Sequence, residues 1–332
     1  VAYADITTSE FATSQFEAQE LPVELARLSP AEVLVGEGQE PPKLSDGATM
    51  TVVEPETFHL DWARETLLEH FGVASLEPFG CDRLPLAVRA SGAVIQYIRK
   101  TQPAALGLIT SLRTYSTSSY MVLDPQTRRN LELFQGGRWS TVSASLYSVL
   151  DRTETAMGGR LLRRWIGQPL LVLDELERRH QAVAWFHVSS LRRARVLAML
   201  ESVSDLERLM NKVRGFNATP RDLVALATSL ESAPFVREIL TEDEDAAHVA
   251  GLADEIRDNE DTIELIRSAI EEDPPPTVGD GSTIKSGFST DLDAIRSSSS
   301  SAQQYIAQME QRERGRTGIK SLKVGYNKVF GY

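Results

Sequence analysis

The chain has 332 residues and a net charge of −12, and its 42% hydrophobic residues suffice for the cores of two domains of ordinary size. The acidic balance argues against binding of nucleic acid over the whole surface, because such proteins are usually basic. No apolar run of roughly 18 residues predicts a membrane span. The single cysteine, Cys81, excludes an internal disulfide and favours a reducing compartment. We therefore expect a cytoplasmic location.

The first third of the chain has the pattern of an α/β domain. Alternating apolar and polar residues predict a strand over 1–6, and comparable runs predict strands at 11–17 and in "ATMTVVE" and "LGLITSL". Between them, "FHLDWARETLLEHFG" predicts a helix that stops at a glycine, and "LPLAVRASGAVIQYIRKTQ" predicts another. The apolar side of the first helix is expected to contain Phe58, Trp62, Leu67 and Phe71.

Residues 119–318 have the periodicity of a mostly helical domain. One helix start is well defined, because Thr219 is a good N-cap and Pro220 suits the first helical position. The segment "EDPPPTVGDGSTIKSGF" is rich in turn-forming residues and is expected to connect two longer helices.

Those two helices repeat apolar residues every 3.5 positions, over 249–270 and 292–309. Such a repeat predicts a narrow apolar seam that packs on another helix. Each seam has one polar interruption, Asn259 in the first and Ser299 in the second. We expect 290–316 to be one helix about 40 Å long despite its run of serines. Two long helices of this kind would form an arm or lever, and Asn259 and Ser299 are the polar candidates in its seams.

Both ends of the chain fall inside strand patterns. Residues 322–332, "LKVGYNKVFGY", begin as a strand without a following partner, so we expect a segment of a longer protein. The same end is basic, with six Lys and Arg residues against one acid between Arg312 and Lys328. Three of them, Lys320, Lys323 and Lys328, are candidates for contact with phosphates. A solvated basic face is an equally good interpretation.

The sequence offers no complete nucleotide or zinc motif. The closest approach to a phosphate-binding loop is "GDGSTIKS", in which Ile284 replaces the glycine required before Lys285. No two of the five histidines are four residues apart, and Cys81 has no cysteine neighbour. We therefore expect neither a nucleotide nor a metal site in this segment.

Asp5 is the one carboxylate that suggests an enzyme. An α/β domain whose first strand carries an aspartate is compatible with a ribonuclease-H-like nuclease, in which several carboxylates bind two Mg²⁺ ions. The later strands supply only Glu54, at an edge. An ordinary turn carboxylate is the simpler interpretation, and the Mg²⁺-dependent nuclease is kept as an alternative.

The most distinctive stretch is "LDRTETAMGGRLLRRWIGQPLLVLDELERRHQAVAWF", residues 150–186. It predicts an amphipathic helix that ends at Pro169, followed by a second helix. This stretch resembles the central region of the MutS family of DNA mismatch repair proteins. Further matches occur in the same order along the chain, in "FGVASLEPFG", "GAVIQYIRKTQ", "MVLDPQTRRNLEL", "SDLERL", "TPRDL", "DPPP" and "RERGRTGIKSLKVGYNKVFGY".

The resemblance implies an α+β fold in three parts. Residues 1–118 would be a connector domain, α/β and ribonuclease-H-like in fold without being a nuclease. Residues 119–318 would be a mostly α-helical core and lever domain, and 319–332 the first strand of a clamp domain. The mismatch-reading and ATPase domains would lie outside this segment, so the segment itself would not be an enzyme.

The resemblance also implies partners. The whole protein would bind mispaired double-stranded DNA as a homodimer, use ATP and Mg²⁺ in its ATPase domain, and receive the protein MutL on the connector. The outward side of the helix near 61–70, with Glu65, Thr66 and Glu69, is the expected docking surface. A MutS relative that acts in recombination is the second alternative.

Overall fold

The computed structural model describes residues 1–42, 47–137, 141–242 and 249–323. An N-terminal α/β domain precedes a mostly helical domain, as expected. Within these residues five strands form two small sheets, one with the order β1-β2-β5 and one that pairs β3 with β4. β1 and β2 are antiparallel, whereas β2–β5 and β3–β4 are parallel. The strands are β1 (Ala2–Asp5), β2 (Glu10–Thr13), β3 (Glu32–Gly36), β4 (Thr49–Val53) and β5 (Arg113–Thr114).

The strand predicted in "LGLITSL" is wrong in position. Residues Pro103–Leu108 form a 3₁₀ helix, and the strand β5 begins only at Arg113. Proline has no N–H to donate and a backbone angle suited to the first turn of a helix, so Pro103 favours the 3₁₀ helix over a strand. The second predicted strand is also shorter than expected and ends at Thr13.

The described residues of the N-terminal domain contain the α-helices α1 (Leu21–Leu28), α2 (Leu60–Phe71) and α3 (Pro85–Thr101), of which α3 packs on β1 and β2 and α2 packs on α3. Both longer predicted helices are confirmed, and α2 ends at Gly72 with a positive φ of 63°. The apolar side predicted for α2 is wrong in one respect, because Trp62 is 52% exposed. The face that packs on α3 instead contains the smaller Ala63 and Thr66 beside Leu67.

The helical domain contains ten α-helices within the described residues. They are α4 (Pro125–Asn130), α5 (Leu146–Leu150), α6 (Ala156–Gly167), α7 (Leu173–Val188), α8 (Ser190–Leu200), α9 (Leu206–Arg214), α10 (Pro220–Thr241), α11 (Ala250–Glu255), α12 (Glu260–Ala269) and α13 (Thr290–Thr317). The predicted start of α10 is confirmed. The Thr219 side chain accepts from the N–H of Asp222, whose carboxylate in turn accepts from the N–H of Thr219. This reciprocal capping satisfies two N–H groups that helix geometry leaves unpaired.

The buried apolar residues form separate clusters in the two domains. One cluster lies within the N-terminal domain and includes Leu67, Val88 and Ile95. Two others surround α10, with Leu226 in one and Leu240 in the other. Each domain therefore has a core of its own.

The predicted single helix over 249–270 is wrong. The chain forms α11, leaves the helical conformation at Ile256, and resumes as α12. Asn259 lies at this break, where its exposed side-chain amide donates to the carbonyl of Arg257 at 2.9 Å. Asparagine competes with a helix by making such local bonds to the backbone. Asn259 is therefore not part of a continuous helical seam.

The second long helix is confirmed as one element. α13 has 28 residues, which corresponds to about 42 Å at 1.5 Å per residue. The seam predicted along it is not buried within the described part of the chain, because Ile295 is 66% exposed and Met309 is 39% exposed. Ser299 is exposed as well.

Candidate functional site

The first candidate surface is an open groove on the outer side of α2. It has a volume of about 690 Å³. The helix directs Ala63 and Leu67 inward, so residues on the opposite side face the solvent. The groove combines acidic and apolar groups, and its lining includes Asp61, Glu65, Leu68, Glu69, Val73 and Ala74. An acidic rim beside apolar side chains suits a basic, partly apolar partner segment.

Two ion pairs fix the borders of this groove. Arg64, which also lines it, donates to the backbone carbonyl of Asp82 at 2.7 Å and pairs with the carboxylate of the same residue. Arg99 of α3 pairs with Glu69 at 3.1 Å. Both pairs are partly exposed, so they orient side chains more than they stabilise the fold.

The three docking candidates do not share one face. Glu65 and Glu69 are exposed, but Thr66 is 8% exposed and its hydroxyl accepts from the Gln96 amide at 3.1 Å. The expectation that Thr66 points outward is wrong, because its face of α2 packs on α3. Asp61, and not Thr66, lines the groove together with Glu65 and Glu69.

The second candidate surface follows the end of α13. The helix stops at Gly318 with φ of 69°, and the chain turns so that the Arg314 guanidinium donates to the carbonyl of Leu322 at 2.7 Å. Lys320 and Lys323 are exposed beyond this turn. Lys328 and most of the predicted final strand lie outside the described residues. The two lysines can reach a polyanion through charge alone.

Asp5 takes part in the turn between β1 and β2. Its carboxylate accepts from the N–H of Thr7 at 2.8 Å and from the hydroxyl of the same residue at 2.7 Å. Burial alone would raise the pKa of Asp5, but the hydrogen bonds from Thr7 and Thr8 outweigh it and lower the pKa. In the described ranges, no three His, Cys, Asp or Glu side chains are grouped so that they could hold a metal ion. Nothing observed favours the nuclease alternative.

A buried charge network lies in the N-terminal domain and was not predicted. Glu24 is 5% exposed, accepts from the Arg27 guanidinium at 2.8 Å and accepts the hydroxyl proton of Tyr115. Burial opposes the charge on Glu24, yet the hydrogen bond and charge of Arg27 hold its pKa below the ordinary value. Burial and the nearby Glu24 raise the pKa of Tyr115. The network joins α1 to Tyr115, the residue that follows β5.

A second unpredicted cluster joins the two domains. Arg160 of α6 makes two hydrogen bonds to Asp205, at 2.7 and 2.8 Å, and a further pair with Glu207 at the start of α9. Four residues after Glu207, the 8% exposed Asn211 contacts the turn between β1 and β2. No sequence pattern relates positions about 200 residues apart. Arg160 lies in the distinctive "GGRLLRR" stretch, which is the one available signal.

Both parts of the chain match models of known protein families. The family model described as MutS domain II matches residues 1–110, and that described as MutS domain III matches residues 126–321. The chain belongs to the MutS family. The resemblance drawn from the sequence motifs is thereby confirmed.

The similarity to individual MutS proteins extends over the whole chain. The proteins named DNA mismatch repair protein MutS from Dehalococcoides mccartyi strain CBDB1 and from Symbiobacterium thermophilum are 40% and 42% identical to it, each over 100% of this chain. The protein of the same name from Methanosarcina mazei is 40% identical, again over the whole chain. The chain spans 39% of the length of the first two and 38% of the third.

No helix in the described ranges combines the length and the apolar character that crossing a membrane requires.

Proposed function

We propose that this chain is the connector and core portion of a protein that binds mispaired double-stranded DNA for repair. One observation carries this function. The chain aligns from end to end, at 40–42% identity, with proteins named DNA mismatch repair protein MutS. Nothing observed favours the nuclease or the recombination-type alternative.

The remaining activities of the whole protein are assigned to residues outside this segment. The chain spans about 39% of the length of such a relative, so most of the relative's residues lie outside the matched segment. We place the binding of ATP and Mg²⁺ there, together with the reading of the mismatch. The segment described here acts without catalysis of its own, within a homodimer in the cytoplasm.

A lever role is proposed for α13. Its first turns are fixed to the preceding crossover, because Asp293 accepts from the N–H of Gly287 at 2.7 Å and Arg296 donates to the carbonyl of Ile284 at 2.9 Å. The helix then extends for about 42 Å to the segment that carries Lys320 and Lys323. A rigid helix anchored at one end transmits a displacement to its other end, which supports coupling between DNA contact and a distant site.

The groove on α2 is proposed as the docking surface for MutL. Asp61, Glu65 and Glu69 supply negative charge, and Leu68 and Val73 supply apolar contact area. Charge around such a patch steers a basic partner, while apolar contacts stabilise the complex.

A chimeric gene tests the proposed function. The matching segment of the MutS gene of a tractable bacterium is replaced by this segment and expressed in a strain that lacks its own gene. We expect the spontaneous mutation rate to fall from that of the deletion strain towards that of the intact gene. A parallel gene without the segment is the control. A chimera that accumulates as intact protein but leaves the mutation rate at the deletion level would refute the assignment.

A further inference from the structure

Asn211 uses its whole side-chain amide on the N-terminal domain. Its nitrogen donates to the carbonyl oxygen of Thr7 at 2.6 Å and lies 3.5 Å from that of Ile6. Its oxygen accepts the hydroxyl proton of Ser9. An amide can donate two hydrogen bonds and accept more than one, so these contacts employ both of its ends. A single side chain of α9 thereby holds a turn about 200 residues away.

The turn between β1 and β2 is preorganised for this contact. Ser9 has a left-handed backbone with φ of 57°, which is uncommon for a residue other than glycine. The carboxylate of Asp5 holds the N–H of Thr7 on the inner side of the same turn. The conformation therefore does not depend on Asn211 alone, and the turn can present the same groups when the two domains separate.

Two further contacts flank Asn211 across the same interface. Arg164 of α6 pairs with Glu10 of β2 at 3.1 Å. Arg214 of α9 lies 3.5 Å from the hydroxyl of Thr110. Because Arg160 ties α6 to the start of α9, these two helices present their contacts as one unit.

The interface combines these polar contacts with the packing of α9 on the 3₁₀ helix Pro103–Leu108, whereas the cores on either side of it are apolar. The buried cluster of the N-terminal domain and the clusters around α10 have no residue in common. Breaking the contacts of Asn211 and Arg164 exposes polar groups that water can satisfy, so each lost hydrogen bond is largely replaced by one to water. Two domains are expected to move relative to one another unless a large, hydrophobic interface joins them.

We propose that Asn211, together with Thr7 and Ser9, is a polar latch that holds the N-terminal domain in one orientation on the helical domain. The latch opens without unfolding either domain. This inference is independent of the proposed function, because it concerns the orientation of two domains and not what they bind.

Distance measurement between spin labels tests the latch. Labels are placed at the exposed positions Lys100→Cys and Glu177→Cys of the full chain, while the native Cys81 is buried and does not compete. Asn211→Asp keeps the shape of the side chain but replaces its donors with an acceptor that faces two carbonyls. Asn217→Asp makes the same chemical change at an exposed position. We expect a narrow distance distribution for the native chain and Asn217→Asp, and a broad one for Asn211→Asp.

Amide hydrogen exchange distinguishes opening of the latch from unfolding. In Asn211→Asp we expect at least tenfold faster exchange in the turn between β1 and β2, with exchange in α3 unchanged. Faster exchange in α3 as well would mean that the domain itself unfolds, and would overturn the proposal. So would a distance distribution for Asn211→Asp as narrow as that of the native chain.

If Asn211→Asp does not fold, two milder substitutions test the latch instead. Ser9→Ala removes one hydrogen bond of the latch, and Arg164→Gln removes the neighbouring ion pair. A broadened distance distribution in the double variant supports the proposal. An unchanged distribution overturns it.

Discussion

Gly92 of α3 lies directly against Ala63 of α2. A Cβ atom built on Gly92 would be 2.4 Å from both the Cα and the Cβ of Ala63, and 2.8 Å from its carbonyl oxygen. These distances are too short for any side chain, so the close approach of the two helices requires glycine at position 92. The same approach explains why the packed face of α2 has small residues and why Trp62 faces the solvent.

Gly92→Ala is therefore expected to destabilise the N-terminal domain. Overpacking of a well-packed contact costs about 1–3 kcal/mol, and here the clash is with backbone atoms that cannot rotate away. Urea denaturation followed by circular dichroism measures the free energy of unfolding. Gly315→Ala in α13 is the control, since nothing lies within 4 Å of its Cβ position. That change should be neutral or stabilising, and equal effects of the two substitutions would contradict the packing argument.

Glu24→Gln should destabilise the N-terminal domain and alter its pH dependence. Removing one partner of a buried pair leaves Arg27 without its counter-charge, at a cost of about 3 kcal/mol. The pKa of Glu24 is below its ordinary value of 4.5 in the folded state. Its contribution is thus complete above pH 4.5 and is lost as the pH falls through the folded-state pKa.

The stability of the native chain should therefore fall more steeply below pH 4.5 than that of Glu24→Gln. Thermal unfolding at a series of pH values measures this difference. Glu37→Gln, in an exposed loop, is the control and should follow the native curve. Parallel curves for the native chain and Glu24→Gln would show that Glu24 is not the titrating group.

Arg160→Lys should weaken the connection between α6 and α9. Lysine keeps the positive charge but cannot make the two parallel hydrogen bonds that the guanidinium makes with Asp205. Because the pair is partly exposed, we expect a loss of only about 1 kcal/mol in the free energy of unfolding. Arg178→Lys is the matched control, since the side chain of Arg178 is 72% exposed. If Arg178→Lys lowers the free energy of unfolding by as much as Arg160→Lys, the paired hydrogen bonds of Arg160 have no special contribution.

The combined change Lys320→Ala and Lys323→Ala should weaken the binding of duplex DNA at low salt. Each lysine that neutralises a phosphate contributes about 0.9 to the slope of log affinity against log salt, so the slope should fall by about 2. Fluorescence anisotropy at several salt concentrations measures the slope. Lys100→Ala, on the N-terminal domain, should leave it unchanged. If the basic face is only solvated and has no role in binding, the double variant and Lys100→Ala should have the same salt dependence.

Reversing charge in the groove on α2 should weaken MutL binding. We expect Glu65→Lys with Glu69→Lys to reduce the affinity about tenfold, which corresponds to 1.4 kcal/mol. Calorimetry with purified MutL measures it. The control, Glu37→Lys with Glu40→Lys, changes the net charge equally at exposed positions outside the groove. Equal weakening by both pairs would indicate a general charge effect and refute docking in the groove.

Local chemistry made some elements predictable from the sequence. The start of α10 follows from Thr219 and Pro220, and α13 forms through its serines as the repeat indicated. The break at Asn259 was missed because an apolar repeat does not report a side chain that bonds to its own backbone. Similarly, the burial of Thr66 depends on which face of α2 meets Gly92.

The candidate surfaces were predictable only where they follow one helix. Glu65 and Glu69 were placed correctly on the exposed side of α2, since helical periodicity fixes their common direction. The contact of Asn211 with the turn between β1 and β2 depends on how two domains meet. Neither Asn211 nor the turn has a local sequence pattern that would reveal this contact.

The separation of the two apolar cores has a consequence for synthesis on the ribosome. The buried cluster of the N-terminal domain draws only on residues up to Leu112, and β5 completes its sheet at Thr114. Translation of the 97 residues from there to Asn211 takes roughly 5–20 s at ordinary rates of protein synthesis. During that time the turn that later contacts Asn211 exposes hydroxyl and carbonyl groups that water can hydrate. The groups of the polar latch on the N-terminal domain thus remain satisfied by water until the helical domain has been synthesised.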